Sequence, residues 1–312
     1  MARKKRNRTY ILLSVVIVSL IILLLVIEGR HIQEPDAESA VESDAEPNPE
    51  PTAKKPKEIN TSTEKSTEKS TESGLSKRAG RLFIIIDDVG YNTSQLKPFL
   101  KLDYPIIFSV LPGLTHTREA AEKIAANGKE VMLHLPMEAK NGEDPGPGAV
   151  YADMDKSVIE TTVSTHFDEL PEAKAFNNHM GSLITEDPEI MEVILKVAKA
   201  RNIVYIDSLT TPKSAVPAVS KKLNIPYYSR DIFLDNKKDK ASIAEAYYNG
   251  IKTASREGRA ILIGHIGSAA LAEVIRESDP LLEEFDVEIA GLENLVELPS
   301  LKKEDTRERT WH

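Results

Sequence analysis

The fold is decided by the pattern that begins at residues 82–90, which read Leu-Phe-Ile-Ile-Ile-Asp-Asp-Val-Gly. A short apolar run of this kind, ended by a turn signal, predicts a buried strand. The adjacent carboxylates of Asp87 and Asp88 repel each other beside a buried strand unless a positive charge offsets the repulsion, and a bound cation would do this. The structural alternative is a turn with a helix N-cap.

Similar apolar runs recur after this stretch, and segments with helical periodicity separate them. The repeated order of strand and helix predicts an α/β protein with a parallel sheet. Seven or eight such units suit an irregular or incomplete (β/α) barrel. A doubly wound open sheet is the alternative. The runs are residues 82–86, 106–110, 131–135, 173–176, 203–206, 227–234 and 260–263, with an eighth at 287–290.

Composition restricts the classes of partner and of metal ligand. The chain has 40 Lys and Arg residues against 49 Asp and Glu residues, for a net charge of -9. Because phosphate binding needs a basic face, and no basic patch occurs outside the first residues, a nucleic-acid partner is disfavoured. The chain contains no cysteine, which excludes disulfides and leaves any metal to His and carboxylate ligands.

The first residues predict a membrane anchor. Residues 1–9 contain five Arg and Lys side chains, and residues 10–27 form an uncharged run of 18 residues rich in Ile, Leu and Val. As a helix, this run spans roughly 27 Å, close to the ~30 Å hydrocarbon core of a bilayer. No convincing cleavage site follows, which favours an uncleaved transmembrane signal anchor over a cleaved secretory signal. The positive-inside rule then places residues 1–9 in the cytoplasm and the remaining chain outside it.

The segment after the predicted anchor has the composition of a disordered linker. Residues 28–79 are rich in Pro, Glu, Ser, Thr and Lys and include a tandem Ser-Thr-Glu-Lys repeat at 62–69. Such a segment cannot bury enough apolar surface to offset its chain entropy. The folded domain is therefore expected at residues 80–300, followed by a charged, flexible tail at residues 301–312.

Polar residues follow six of the seven principal strand-like runs. In a β/α barrel or an open α/β sheet the carboxyl ends of the strands meet on one face, where active sites are built. Strand-end aspartates can also be caps or turn residues, and each histidine can be a core or loop residue. The residues are Asp87, Asp88, His134, Asn177, His179, Asp207, Asp231, Asp235 and His265.

Glu138 lies four residues after His134, as either a second ligand or a surface or supporting residue. Pro136 breaks the helix that would put both side chains on one face, which favours the second interpretation. His116 and His166 fall in helical patterns and are predicted to be ordinary solvated residues.

Five stretches resemble, in order and spacing, the signatures of the divergent polysaccharide deacetylase family, over roughly residues 80–298. This resemblance implies an irregular β/α barrel with one divalent metal, usually zinc, held by one Asp and two His. By matching positions, it makes Asp87 the general base, Asp88 and His134 metal ligands, and His265 the general acid. The stretches are residues 83–90, 130–138, 177–182, 230–236 and 263–265.

The chain departs from the classical members of this family in two motifs. Glu138 stands where they have a second His, and residues 177–182 replace their Arg-Pro-Pro motif. His179 is well placed to supply the missing second imidazole. The candidates for supporting the ligands or contacting the substrate are Glu138, Asn177, Asp207, Asp231 and Asp235.

The implied function is a metal-dependent hydrolase that removes acetyl or other acyl groups from a cell-envelope glycan. Two alternatives remain: a glycan-binding or envelope-scaffolding module without catalysis, and a different metal hydrolase on a similar barrel. In each case the domain is expected outside the cytoplasm, held by the single membrane span at residues 10–27.

Overall fold

A computed structural model of the chain describes residues 80–297. The predicted anchor at residues 10–27, the linker at 28–79 and the tail at 301–312 lie outside the described residues. Within residues 80–297, no helix combines the length and the apolar character that crossing a membrane requires.

Strands and helices alternate through most of this region, as the sequence predicts. The strands are β1 (Gly80–Val89), β2 (Ile107–Val110), β3 (Glu130–Met137), β4 (Ala175–Met180), β5 (Val204–Asp207), β6 (Tyr228–Ser229), β7 (Ile232–Phe233), β8 (Arg259–His265) and β9 (Val287–Ile289). The helices are α1 (Lys97–Leu100), α2 (Thr117–Ala126), α3 (Lys156–Glu169), α4 (Pro188–Ala200), α5 (Val216–Leu223), α6 (Lys240–Glu257), α7 (Ala269–Arg276), α8 (Asp279–Phe285) and α9 (Leu292–Glu297). Short 3₁₀ turns occur at Thr93–Leu96 and Ile184–Glu186.

The strands form one parallel sheet whose two edges meet. Its order is β6-β5-β4-β3-β2-β1-β8-β7, and β9 pairs with the start of β1. Only Arg230 and Asp231 separate the two edge strands β6 and β7. The Arg230 amide donates to the Asp207 carbonyl on one side (2.9 Å), and the Asp231 amide donates to the Ile261 carbonyl on the other (2.8 Å). The sheet therefore curls on itself, which confirms the irregular β/α barrel and excludes the open doubly wound sheet.

One predicted strand is wrong as a single element. Residues 227–234 read as one apolar run, but they form β6 and β7, which lie on opposite edges of the sheet. The chain crosses the gap between the edges at Arg230 and Asp231, so each strand keeps only two paired residues. The apolar pattern is the same on both sides of the crossing, which is why periodicity alone does not reveal it.

The barrel has an inner and an outer apolar core because successive side chains of a strand point to opposite faces. Along β1, Phe83 and Ile85 belong to the inner core, whereas Leu82, Ile84 and Ile86 belong to the outer core, which the helices share. The inner core includes residues of β2, β3, β5 and β8, and α9 contributes Leu292 and Leu295 to it. Full burial of each large side chain contributes about 1.5–3 kcal/mol.

His166 contradicts its prediction as a solvated residue. It is buried within α3, and its Nε2 lies 2.8 Å from the Gly148 carbonyl oxygen. Gly148 has a positive φ of 68°, and a Cβ there would lie 2.4 Å from the His166 ring, so this loop is packed onto the helix through the imidazole. His166 is a structural residue.

Candidate metal and acid–base site

The polar side chains at the barrel mouth continue the inward-facing rows of the inner core. In each of five strands, an inward apolar residue is followed two residues later by a polar one, which therefore points to the same side. The sequence alternation of the strands thus builds a polar layer directly above an apolar floor. The pairs are Ile85 and Asp87, Ile107 and Ser109, Met132 and His134, Ala175 and Asn177, and Ile263 and His265.

Asp88 reaches the site by breaking this alternation. Strict alternation would turn its side chain outward with that of Ile86. Instead, the pairing of β1 with β2 shifts register between Ile86 and Val89, and Asp88 has a φ of 63°. Aspartate is one of the few residues that adopt this left-handed backbone readily. The irregularity brings both carboxylates of the Asp-Asp pair to the site.

Asp88, His134 and His179 form a compact set of ligand atoms. Asp88 Oδ1 lies 3.3 Å from His134 Nε2 and 3.1 Å from His179 Nδ1, and the two nitrogens are 3.2 Å apart. Despite these short distances, the buried Asp88 Oδ1 has no hydrogen bond of acceptable geometry. One carboxylate oxygen and two imidazole nitrogens are the ligand types of zinc and similar borderline ions. The residues present therefore fit a divalent metal.

The electrostatics of the ligand set favour an ionised carboxylate beside imidazole. Burial opposes ionisation of Asp88, but its contacts with His134 and His179 outweigh burial and hold its pKa well below the usual range. Burial also opposes charging of His134, yet the neighbouring charges of Asp87 and Asp88 raise its pKa. The site thus has the negative potential that attracts a cation.

Asp87 lies beside the ligand set without belonging to it. The residue is only 2% exposed, and burial raises the pKa of its carboxyl, an effect that His134 and Asn177 partly offset. The Asn177 Nδ2 group donates to both carboxylate oxygens, at 2.9 and 3.1 Å. A buried carboxylate with a raised pKa is suited to accept a proton.

His265 faces Asp87 across the register of β1 and β8. Its Nδ1 lies 2.8 Å from Asp235 Oδ1, and its backbone amide donates to Asp235 Oδ2 at 2.9 Å. Burial lowers the pKa of His265, but the bond and charge of Asp235 raise it to about 9. The Phe233 ring stacks on the imidazole, whose side chain is still 42% exposed. His265 is therefore a protonated group at neutral pH that is open to the barrel mouth.

Three predicted supporting residues have structural roles outside this cluster. Asp207 accepts from the Leu209 amide and the Ser214 hydroxyl, at 2.9 and 2.7 Å. Asp231 accepts from the Ile261 amide at 2.9 Å, and Glu138 accepts from the Ala152 amide at 2.7 Å. These carboxylates stabilise loops and the meeting edges of the sheet, and Glu138 is not part of the ligand set.

Two site residues are not among those that the sequence predicts. Ser109 donates to Asn177 Oδ1 at 2.5 Å, and Phe233 stacks on His265. Ser109 follows Ile107 by two residues, so the alternation rule applied to residues 106–110 would have found it. No sequence signal distinguishes Phe233 from an ordinary core aromatic.

Comparison with known protein families identifies the family of this chain. A sequence profile described as divergent polysaccharide deacetylase matches residues 84–296, which is more than half of the chain. The chain belongs to the divergent polysaccharide deacetylases. The matched region contains all the strand-end residues of the candidate site, from Asp87 to His265.

Relatives of this family member include two bacterial proteins described as uncharacterized. The one from Haemophilus influenzae is 27% identical over 215 residues, which are 69% of this chain and 76% of that protein. YibQ of Escherichia coli is 30% identical over 187 residues, which are 60% of this chain and 59% of YibQ. The match thus covers less than two thirds of the length of YibQ.

A solved structure shares the fold of this deacetylase-family domain. The crystal structure of an uncharacterized protein from Agrobacterium tumefaciens superposes with a TM-score of 0.64. The superposition covers 71% of this chain and 91% of that protein, at 19% sequence identity. A likeness at this identity shows the fold alone.

Proposed function

We propose that this domain is a metal-dependent hydrolase that removes acetyl or other acyl groups from a glycan of the cell envelope. The observation that carries the proposal is the juxtaposition of a complete Asp-His-His ligand set with a buried carboxylate, Asp87, and a protonated imidazole, His265. Membership of the divergent polysaccharide deacetylases supports an acylated polysaccharide as the substrate class.

The ligand set would be Asp88, His134 and His179, and zinc is the ion that these three ligands suit best. When bound there, such an ion polarises an acyl carbonyl and lowers the pKa of a water molecule toward ~7. Three protein ligands are the number typical of hydrolytic zinc sites, whereas structural sites have four, so this set would suit a catalytic ion.

The acid–base chemistry falls to Asp87 and His265. Asp87 accepts the proton of the attacking water as the new carbon–oxygen bond forms. His265 donates its proton to the leaving nitrogen or oxygen as the acyl bond breaks, and an amine leaving group needs that proton. The products are a carboxylic acid and a free amine or hydroxyl, and proton exchange with solvent restores both residues.

The experiment compares metal content and turnover in the purified full-length protein. His134→Ala and His179→Ala are expected to abolish stoichiometric zinc, because each removes one of three ligands. Asp87→Asn and His265→Ala are expected to keep zinc and lose acyl release from envelope glycans, because they act on protons. Glu138→Ala is the matched control and is expected to keep zinc.

Two results would change this proposal. Zinc that survives His179→Ala but is lost in Glu138→Ala would move the third ligand to Glu138. A zinc-loaded wild-type protein that releases no acyl group from envelope glycans would replace the hydrolase by a glycan-binding module on the same fold. The replacement of the classical Arg-Pro-Pro motif by residues 177–182 is the feature that would then explain the loss of turnover.

We also propose that the domain lies outside the cytoplasm on a single membrane span. The support is the sequence of residues 1–27, in which a basic segment precedes an uncharged run of membrane-spanning length. An envelope glycan substrate is compatible with this location.

A further inference from the structure

Asn177 lies between the proposed base and a proposed metal ligand. Its side chain is fully buried in β4, and its amide contacts three site residues. Nδ2 lies 2.9 and 3.1 Å from the two oxygens of Asp87. Oδ1 lies 2.7 Å from His134 Nδ1 and 2.5 Å from Ser109 Oγ. The amide nitrogen thus donates to one carboxylate, and the amide oxygen accepts at both of its acceptor positions.

The contacts fix which end of the amide faces which neighbour. An ionised Asp87 has only acceptors, so the amide nitrogen must face it, since the opposite orientation would put a carbonyl oxygen against a carboxylate. The amide oxygen therefore faces His134 and Ser109. Because that oxygen cannot donate, the hydrogen of the bond to His134 must sit on Nδ1 of the imidazole.

This tautomer has a direct consequence for the ligand set. A neutral imidazole that carries its hydrogen on Nδ1 presents a lone pair on Nε2. His134 Nε2 is the atom that lies 3.3 Å from Asp88 Oδ1 and 3.2 Å from His179 Nδ1. The amide of Asn177 thus selects the form of His134 that can act as a ligand.

We infer that Asn177 is a positioning residue that couples the two halves of the site. One amide directs the carboxylate of Asp87 through its N–H groups and sets the tautomer of His134 through its oxygen. The Asp87 half of this inference rests on the proposed hydrolysis, whereas the His134 half concerns metal binding and holds without turnover. Partners of this kind behind a ligating histidine are worth about 10–100-fold in metal affinity.

The adjacent residue provides a matched control for general effects on folding. Asn178 is also buried, and its side chain accepts from the Tyr205 hydroxyl (2.8 Å) and the Ser208 amide (3.0 Å) and donates to the Met180 carbonyl (2.7 Å). It points to the opposite face of β4, away from the ligand set. If Asn177 only stabilised the strand, substitution of Asn177 and of Asn178 would change the His134 tautomer and the zinc affinity to the same extent.

The test compares Asn177→Ala, Asn177→Asp and Asn178→Ala in the full-length protein. The readouts are zinc affinity by chelator competition, the tautomer of His134 from its ¹⁵N chemical shifts, thermal unfolding, and kcat with KM. We expect Asn177→Ala to lose the Nδ1–H tautomer, to bind zinc about 10–100-fold more weakly, and to lose kcat with little change in KM. Asn178→Ala is expected to lose stability while keeping the wild-type tautomer and zinc affinity.

Asn177→Asp separates the two halves and keeps the size of the side chain, so it also serves if the alanine variant does not fold. The new carboxylate oxygen can still accept from His134, so the variant should bind zinc more tightly than Asn177→Ala. The new side chain no longer presents an N–H group to Asp87, so kcat should stay low. The inference is overturned if Asn177→Ala keeps the wild-type tautomer and zinc affinity, or if Asn178→Ala loses them equally. A wild-type protein without turnover overturns the Asp87 half alone.

Discussion

Of the three carboxylates that raise the pKa of His265, Asp235 has the largest effect and contacts His265 twice. Asp235 bonds the ring nitrogen and the backbone amide of His265, and its bond and charge raise the pKa of that imidazole to about 9. As the proposed acid, His265 must be protonated. Activity that depends on it is therefore present below about pH 9 and is lost as the pH rises through this value.

Asp235→Asn is predicted to move this alkaline loss of kcat/KM to lower pH. Without the neighbouring negative charge, the pKa of His265 should fall toward the ordinary value of about 6.5. The measurement is kcat/KM against pH for the wild type and the variant.

Asp231→Asn is the control for this pH profile, because Asp231 lies in the same segment and bonds the Ile261 amide. This variant should lose kcat/KM at the same alkaline pH as the wild type. If Asp235→Asn also loses kcat/KM at the wild-type pH, the proton donor is a residue other than His265.

The residues of the site were predictable to the extent that they obey strand alternation. Asp87, His134 and His265 continue inward-facing rows, and the sequence places them at strand ends on one face. Asp207 follows the same strand-end rule but adjoins the inward-facing Ile206, and its carboxylate closes a turn with Leu209 and Ser214. Asp88 joins the site only through its positive φ and the shifted register of β1, and no periodicity predicts such an irregularity.

At the scale of elements, the contact between α6 and β8 depends on a glycine. A Cβ added at Gly250 would lie 2.6 Å from Leu262 Cδ1 and 2.7 Å from Cδ2, and Leu262 is fully buried. Gly250→Ala would gain about 1 kcal/mol of helix propensity, but overpacking of a buried leucine costs about 1–3 kcal/mol. The glycine thus allows the helix to approach the strand that carries His265.

We predict that Gly250→Ala lowers the free energy of unfolding by at most about 2 kcal/mol, measured by denaturant titration. Leu262→Ala alone should cost about 2–5 kcal/mol because it creates a cavity. The double variant should lose less than the sum, because the new methyl group occupies part of that cavity. Additive losses would show that the two side chains do not compete for this space.

The elements themselves were predictable where an apolar run coincides with one strand. Seven of the eight predicted runs correspond to β1–β5, β8 and β9, with shifted ends such as residues 173–176 against Ala175–Met180 for β4. The run at 227–234 does not form one strand because its two halves pair with β5 and β8, which lie next to the opposite edges of the sheet. Local sequence does not encode which distant strand each half will meet.

At the scale of the whole molecule, the site exists only because the sheet curls. Its residues extend from Asp87 to His265 along the chain, and the parallel order of the strands brings all of their carboxyl ends to one mouth. The apolar inner core below them, closed by Leu292 and Leu295, excludes water from the floor of the site and raises the pKa of Asp87 through burial. The fold thus supplies both the convergence and the desolvation that the chemistry requires.

The cellular location of this barrel depends on residues 1–27. Five basic side chains precede an uncharged run of 18 residues, a pattern that orients the amino terminus toward the cytoplasm.

We predict that the full-length protein, expressed in a bacterial host, sediments with membranes and that protease added to spheroplasts digests residues 80–297. Deletion of residues 2–27 should leave the domain in the cytoplasmic fraction, protected until the cells are lysed. Replacement of the five basic residues by Gln is the control for orientation and should reduce digestion in spheroplasts without releasing the protein from membranes. Mass spectrometry of the mature amino terminus distinguishes an uncleaved anchor from a cleaved secretory signal. Cleavage after residue 27 would convert the protein into a soluble secreted form and would overturn the anchor.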